Sequence, residues 1–454
     1  MPSIKLPVAS YNQPSRVPQR LVNVYPQATP GKGPVELLGA PGTVAWSAPG
    51  SGPGRGLFVM RGTLYCVSGE ALYKVDENGS EIYLGALPGS GKLQFAGNGV
   101  ELVFSNKYIL SNGTVSLITD PDLPAISSID YIDGYVVATE TGTGKFYWSE
   151  LYDGANYDGL SFASAEGYPD DLICLKVDHR QVFLFGQETT EIWYDSGDLD
   201  YRFQRLSGGF IELGAGSRLG VTKQDNSVLW FANDKTIRRL SESTPVRVSQ
   251  HGMEEKIASY DRVDDCEAFS FAWNGHLFCA FTFPSATPEG GATWVLDITA
   301  GNEWHERSTY GQNDWDVVDA VNCYGKVLMQ RRSTGEIGYL SDSCYTEFGE
   351  TLRKEWTYPQ VYQTNYALTH SQLDIVCRTG NSPIGEVAHV NLEISDDGGN
   401  TWMTLPPREL GRTGEYGHVV RWNRLGQARD RVYRASVDDA NVPLCVTDSV
   451  LRVE

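Results

Sequence analysis

No stretch of this chain holds the ~18 consecutive apolar residues that a membrane-crossing helix needs. The leading residues MPSIKLPVASYNQPSRVPQRLVNVYPQ also lack the apolar core of a secretory signal. The expectation is a protein made and kept in the cytoplasm, or leaving it by a route other than secretion. No C-x-x-C occurs among the eight cysteines. Cys66, Cys174, Cys266, Cys279, Cys323, Cys344, Cys377 and Cys445 are scattered, mostly inside apolar strand-like runs. They read as reduced core thiols rather than disulfides or metal ligands. The seven histidines show no H-E-x-x-H or other paired ligand spacing, so each reads as a surface or turn residue. No G-x-S-x-G nucleophile elbow is present. Helical apolar periodicity is missing as well, and no helix longer than a couple of turns is expected. Positive charge is in deficit: 37 Lys and Arg stand against 57 Asp and Glu, a net charge of −20. That balance argues against nonspecific binding to a polyanion, which rests on cations displacing counterions.

What the chain does have is turn chemistry and a repeat. Forty-eight glycines and twenty-two prolines, with 41% hydrophobic residues, fit an all-β protein with a large core and two domains. Residues 317–340 (VVDAVNCYGKVLMQRRSTGEIGYL) read as three apolar strands separated by turns at Tyr324-Gly325 and Ser333–Gly335. The same grammar recurs at 57–75, 93–110, 126–148, 173–194, 219–240 and 268–296. One such meander cannot bury its own apolar face, and units repeating every ~40–50 residues are the mark of propeller blades. A β-propeller of six or seven blades over 51–352 follows, because radial repetition leaves only short, protected edges. The Pro-rich segment 1–50 reads as an irregular arm with a strand candidate at 21–25, able to wrap the ring or close its last blade. Beyond 353 the grammar stops, and strands near 372–377, 388–394, 418–422, 431–436 and 450–453 suit a small β-sandwich over 353–454.

Three local patterns bear on chemistry. The segment 146–171 (FYWSELYDGANYDGLSFASAEGYPDD) falls in an expected blade loop, where Asp153 and Asp158 suggest calcium but lack EF-hand spacing, so turn chemistry is preferred. Pro88-Gly89-Ser90-Gly91-Lys92 has the look of a phosphate loop, yet Leu93 follows the lysine and Ala86 stands where the first glycine belongs. Ser395-Asp396-Asp397-Gly398-Gly399-Asn400-Thr401-Trp402 resembles the Asp-box of sialidases, themselves propellers. A single copy outside the propeller reads as a hairpin staple, while a propeller glycosidase or carbohydrate-binding protein is kept as the alternative. No carboxylate pair can be nominated for hydrolysis from the sequence. Neither a catalytic residue nor a metal or cofactor site is assigned.

Charge is uneven along the chain. Residues 408–434 carry seven arginines against Glu409, Glu415 and Asp430. They read either as a solvated hairpin or as a contact surface for an acidic partner such as a second copy, with Arg421, Arg424, Arg429, Arg431 and Arg434 as the candidates.

The runs FYWSELYDG at 146–154 and FASAEGYPDDLICLKVDHRQVFLFGQETTEIWYDSGD at 162–198 resemble the packaged-DNA stabilisation, or tail hub (nozzle), proteins of short-tailed bacteriophages. QRLVNVYPQ at 19–27, VRVSQHGMEEKI at 246–257 and WNRLGQARDRVYRASVDD at 422–439 extend the similarity over nearly the whole chain. The resemblance implies a virion protein assembled in the host cytoplasm, forming a homo-hexameric ring beneath the portal and its adaptor. Such a ring would extend the channel, help retain packaged DNA, conduct it at ejection, and carry tailspikes or fibres and a needle or plug. It also implies a structural role rather than an enzymatic one. Copies at −20 each would give an acidic channel wall along which DNA slides without sticking.

Overall fold

Tight turns between short apolar strands set the architecture. Tyr324 and Gly325 both take positive φ, 52° and 70°, which is the type I′ geometry whose twist matches that of the strands on either side. They join Val317–Cys323 to Lys326–Arg331. His179 and Arg180, at φ 48° and 61°, make the equivalent connection without any glycine. The computed structural model describes residues 4–11, 19–28, 35–198, 201–363, 366–380, 387–438 and 442–454. Parts of the N-terminal arm, residues 1–3, 12–18 and 29–34, lie outside the described residues, as does Asp439.

Seven four-stranded antiparallel units run in chain order. The first spans 54–86, the second 95–117, the third 126–164, the fourth 172–211, the fifth 221–247, and the sixth 267–307. The seventh has only three strands from its own stretch, Val317–Cys323, Lys326–Arg331 and Ile337–Ser341. Its fourth is Gly42–Ser47 from the N-terminal arm, in register Leu340↔Thr43 and Tyr339↔Val44. The chain thus closes its ring with a strand from the far end, and no blade edge is left open at the seam.

Each blade is buried on both faces, so its apolar residues pack in clusters shared with its neighbours. Leu57 and Leu64 of the first blade meet Leu328 and Ile337 of the seventh. Leu72 meets Phe104 of the second, and Ile109 meets Val136 of the third. Phe146 meets Leu184 of the fourth, and Phe185 meets Trp230 of the fifth. Phe231 meets Phe283 of the sixth, and Phe271 meets Trp315 and Met329 at the seventh. The seven junctions make a closed circle of cores. One helix is found among the described residues, His251–Ala258, which buries Met253 and Ile257 against the fifth and sixth blades.

The C-terminal part is a sandwich with its own core around Trp356, Leu373, Trp422 and Tyr433. Its first sheet continues the sixth blade: Glu303–Arg307 pairs with Leu21–Val22, which pairs with Lys354–Thr357, then Asp430–Val437, His389–Ser395 and Met403–Glu409. Its second sheet holds Val24–Ala28, Val35–Gly39, Cys445–Val453, Leu368–Cys377 and Val420–Asn423.

Two sequence expectations need correction. The arm read as irregular contributes four strands, two of them to the sandwich's second sheet, because its apolar residues find partners hundreds of positions away, as in Leu37↔Val446. The segment 146–171, expected as a blade loop, is mostly strand: Lys145–Glu150 and Asp153–Ser164 are the outer half of the third blade. Within it Asp153 accepts hydrogen bonds from the Ala155 amide and the Asn156 side chain, and Asp158 accepts one from the Leu160 amide. Both carboxylates hold turns.

Candidate functional site

First strands of neighbouring blades pack together at most junctions, as Ile126–Ile132 does with Leu172–Asp178 and Glu267–Trp273 with Val317–Cys323, which places them on the inner side of the ring. Lys92, on the segment entering the second blade, extends across the propeller axis. Its ammonium donates to the carbonyls of Ala268 in the sixth blade at 3.1 Å and Val318 in the seventh at 2.9 Å, with Asp319 at 3.9 Å. From the segment entering the fifth blade, Arg218 donates to the carbonyl of Ser127 in the third at 2.9 Å. With Lys92 bonded across it, the axial opening is obstructed by protein. Lys92, discounted as a phosphate-loop lysine in the sequence, is a brace. Nothing in the sequence pairs it with strands 176 and 226 positions away.

The second region is the seam between the sixth blade and the sandwich. Asn23, buried at the junction, donates its side-chain amide to the carbonyls of Ser308 and Arg353 and accepts from the Ser308 amide. Arg20 forms a fork with Glu306, 3.0 and 2.6 Å on its two arms. Arg307, fully enclosed, stacks 4.2 Å from the Trp315 ring centroid, with Glu347 at 3.9 Å. Glu347 also accepts from Trp315 at 2.6 Å and Thr309 at 2.7 Å, and burial pushes its carboxyl above the usual range. Burial together with the Arg307 charge drives the His305 imidazole down to about 3, so it is neutral at ordinary pH. A cleft of about 860 Å³ opens beside this seam, lined by Arg20, Lys256, Glu289, Glu306, Arg353 and Glu355 among others. Glu306 and Glu355 are each bound to an arginine, Arg20 and Arg353, an arrangement that ties strands together across the seam.

The five candidate arginines separate. Arg431 is 3% exposed and fully engaged, with Nε and Nη2 on Asp396 and Nη1 on the Leu425 carbonyl. Arg434 binds Glu393 at 2.7 Å and stacks 4.1 Å from the Trp402 ring centroid. Arg421, half exposed, forks onto Asp374 at 2.7 and 3.0 Å. Only Arg424 and Arg429 are exposed without an ion pair among the described residues. Structure therefore places Arg431 inside the sandwich rather than on a contact surface, and a sequence cannot separate these roles because each partner comes from another strand.

The Asp-box is a closed turn. Asp397 accepts from the Thr401 hydroxyl at 2.6 Å, the Thr401 amide at 2.9 Å and the Ser395 hydroxyl at 2.8 Å, while the Trp402 indole donates to the Gly399 carbonyl at 3.1 Å. These bonds, led by that from the Thr401 side chain, hold the exposed Asp397 carboxyl at about 2. No group of three or more metal-ligating side chains comes together among the described residues.

The fold is a closed propeller, bridged near its axis by Lys92 and Arg218 and joined strand to strand to a sandwich. Two family models match it: bacteriophage P22 Gp10, beta-propeller, over residues 12–345, and bacteriophage P22 Gp10, beta-sandwich, over residues 355–454. The chain belongs to the bacteriophage P22 Gp10 family of structural phage tail proteins. No curated protein matches it. Similar solved structures include a streptogramin B lyase (14% identity, 66% of this chain and 96% of that one, TM-score 0.43). The computationally designed Ika8 protein (13%, 66% and 99%, 0.40) and BamB from Moraxella catarrhalis (8%, 69% and 93%, 0.36) are further examples. At such TM-scores these likenesses carry no argument about this chain.

Proposed function

We propose that this chain is a tail hub: a subunit of a homo-hexameric ring that extends the portal-adaptor channel, helps hold packaged DNA in the head and lets it pass at ejection. The observation that carries the reading is the family match, which covers both the propeller and the sandwich. The bridging of the axis by Lys92 and Arg218 supports it, because DNA would then run between copies and not through one propeller. So does the continuous sheet from Glu303–Arg307 into the sandwich, which lets one subunit transmit load as a unit. A net charge of −20 per copy suits a wall along which DNA slides. The adaptor ring above, a tailspike or fibre at the side and a needle or plug below are the partners this reading requires. The exposed Arg424 and Arg429 are its candidate contacts with an acidic neighbour. The Asp-box, a single turn staple in the sandwich, lends no support to a glycosidase or a lectin.

Quantitative mass spectrometry of purified particles of the phage encoding this chain tests the reading. A ratio of one copy to two portal subunits supports a hexameric hub on a twelve-fold portal. Absence from the particle overturns it.

A further inference from the structure

Two exposed surfaces of the subunit have complementary character. The first is the outer edge of the propeller at the third and fourth blades. Asp153–Ser164 is the outermost strand of the third blade, and its far edge has no strand partner among the described residues. It carries Leu160, 84% exposed, and the exposed Phe162, then runs into a groove of about 880 Å³ lined by Trp193 and Phe210. Apolar side chains left open together mark a surface that another protein covers. Residues 145–171 hold six carboxylates against a single cation, Lys145. Of these acids, Asp158 and Glu166 are exposed and make no ion pair among the described residues. Arg205, the cation in the groove, is already beside Glu191 at 3.5 Å.

The second surface is one end of the sandwich. Tyr362 is paired with Asp430, and Leu368 with Ala428, so Tyr362 and Tyr366 come to the end of the sandwich that carries Arg424 and Arg429. The two tyrosines are 69% and 72% exposed, and both arginines are exposed without an ion pair among the described residues. Tyrosine with arginine is the composition of contact hot spots. Placement adds to the match. The sandwich grows from the sixth blade, and in a closed circle of seven the third is three places away, as far as any blade can be. A subunit with complementary faces on opposite sides joins head to tail, the kind of contact that closes into a ring. We propose that the acidic, partly apolar edge of the third and fourth blades receives the Tyr362 and Arg429 end of the sandwich of the next copy. The proposal rests on the tail-hub reading, which supplies the ring, and adds which faces meet in it.

Charge reversal on each face tests the contact. By light scattering, the full-length wild type should pass from monomer to ring as its concentration rises. Asp158→Lys with Glu166→Lys sets like charges against the arginines and should raise the concentration needed by more than about tenfold, with the unfolding midpoint near that of the wild type. Arg424→Glu with Arg429→Glu should do the same. An equimolar mixture of the two variants should assemble again, because in an alternating ring every contact then joins opposite charges. Assembly of the acidic-edge variant at the wild-type concentration, or a mixture that stays dissociated, would overturn the contact and leave the ring itself standing. A wild type that is monomeric at every concentration would overturn both. Should the acidic-edge double variant fail to fold, Glu166→Lys alone decides, since that side chain makes no hydrogen bond among the described residues.

Discussion

Arg431 and Asp396 meet through two parallel hydrogen bonds, Nε to Oδ1 and Nη2 to Oδ2, each 2.6 Å. The arginine is enclosed and the aspartate is half exposed. Removing the cation leaves a carboxylate and the Leu425 carbonyl short of a donor, a loss of about 2 kcal/mol once solvent screening on the aspartate side is allowed for. Arg431→Ala should lower stability by that amount in chemical unfolding. Arg424→Glu with Arg429→Glu should leave unfolding unchanged and reduce ring assembly, seen as a shift from oligomer to monomer by light scattering. Unfolding loss in the surface double variant, or normal assembly by it, would count against this division of roles.

Lys92 joins the second blade to carbonyls on the sixth and seventh across the axis. Lys92→Met retains most of the stem and leaves two acceptors unsatisfied. The expected cost is about 1–3 kcal/mol in chemical unfolding. Arg61→Met, at an exposed turn of the first blade, is the control and should cost almost nothing.

Two buried histidines make stability depend on pH. His305 is pushed to about 3 by burial and the Arg307 charge, and His370 to about 4 by burial and the Arg431 charge. Both are neutral in the fold, whereas in the unfolded chain they protonate near 6.5. Their contribution is complete above that pH and declines as pH falls, since only the unfolded state takes up the protons. Between pH 6.5 and 5 each contributes a slope of up to about 1.4 kcal/mol per pH unit. His305→Phe, placed among Tyr25 and Phe278, should roughly halve the combined slope measured by unfolding at a series of pH values. An unchanged slope would show that other groups set the acid sensitivity.

The blades were legible because their signals are local. Adjacent strands supply each other's partners, and turns such as Tyr324-Gly325 sit between them. The arm hid its strands because Pro26 looks incompatible with a sheet. It is tolerated on Val24–Ala28 because that strand is the outermost of its sheet. The third blade's outermost strand, Asp153–Ser164, went unassigned for another reason. Its register slips between Tyr147↔Phe162, Ser149↔Tyr157 and Glu150↔Asp153, so the expected alternation never appears. The arginines and Lys92 show the deeper limit, since composition and spacing indicate cations but not which carboxylate or carbonyl the fold brings to them.

Ring closure depends on one close approach. Gly338 lies against Gly42–Ser47, and a Cβ there would stand 2.5 Å from Thr43 Cγ2 and 2.7 Å from the Val44 carbonyl oxygen. A valine has no room without displacing the closing strand, and overpacking of this kind costs about 1–3 kcal/mol. The consequence reaches further than the contact, because a released strand leaves Ile337–Ser341 as an open edge and loosens the junction of Ile337 with Leu57 and Leu64. Gly338→Val should therefore expose the segment 42–47 to proteolysis under native conditions and promote association through the freed edge. Gly325→Ala, at a turn with open space around it, tests whether any glycine loss has this effect. It should lower stability modestly through its positive φ while leaving 42–47 protected. Cleavage at 42–47 in both variants would mean that the closing strand opens whenever the seventh blade is weakened, and that Gly338 has no special part in holding it.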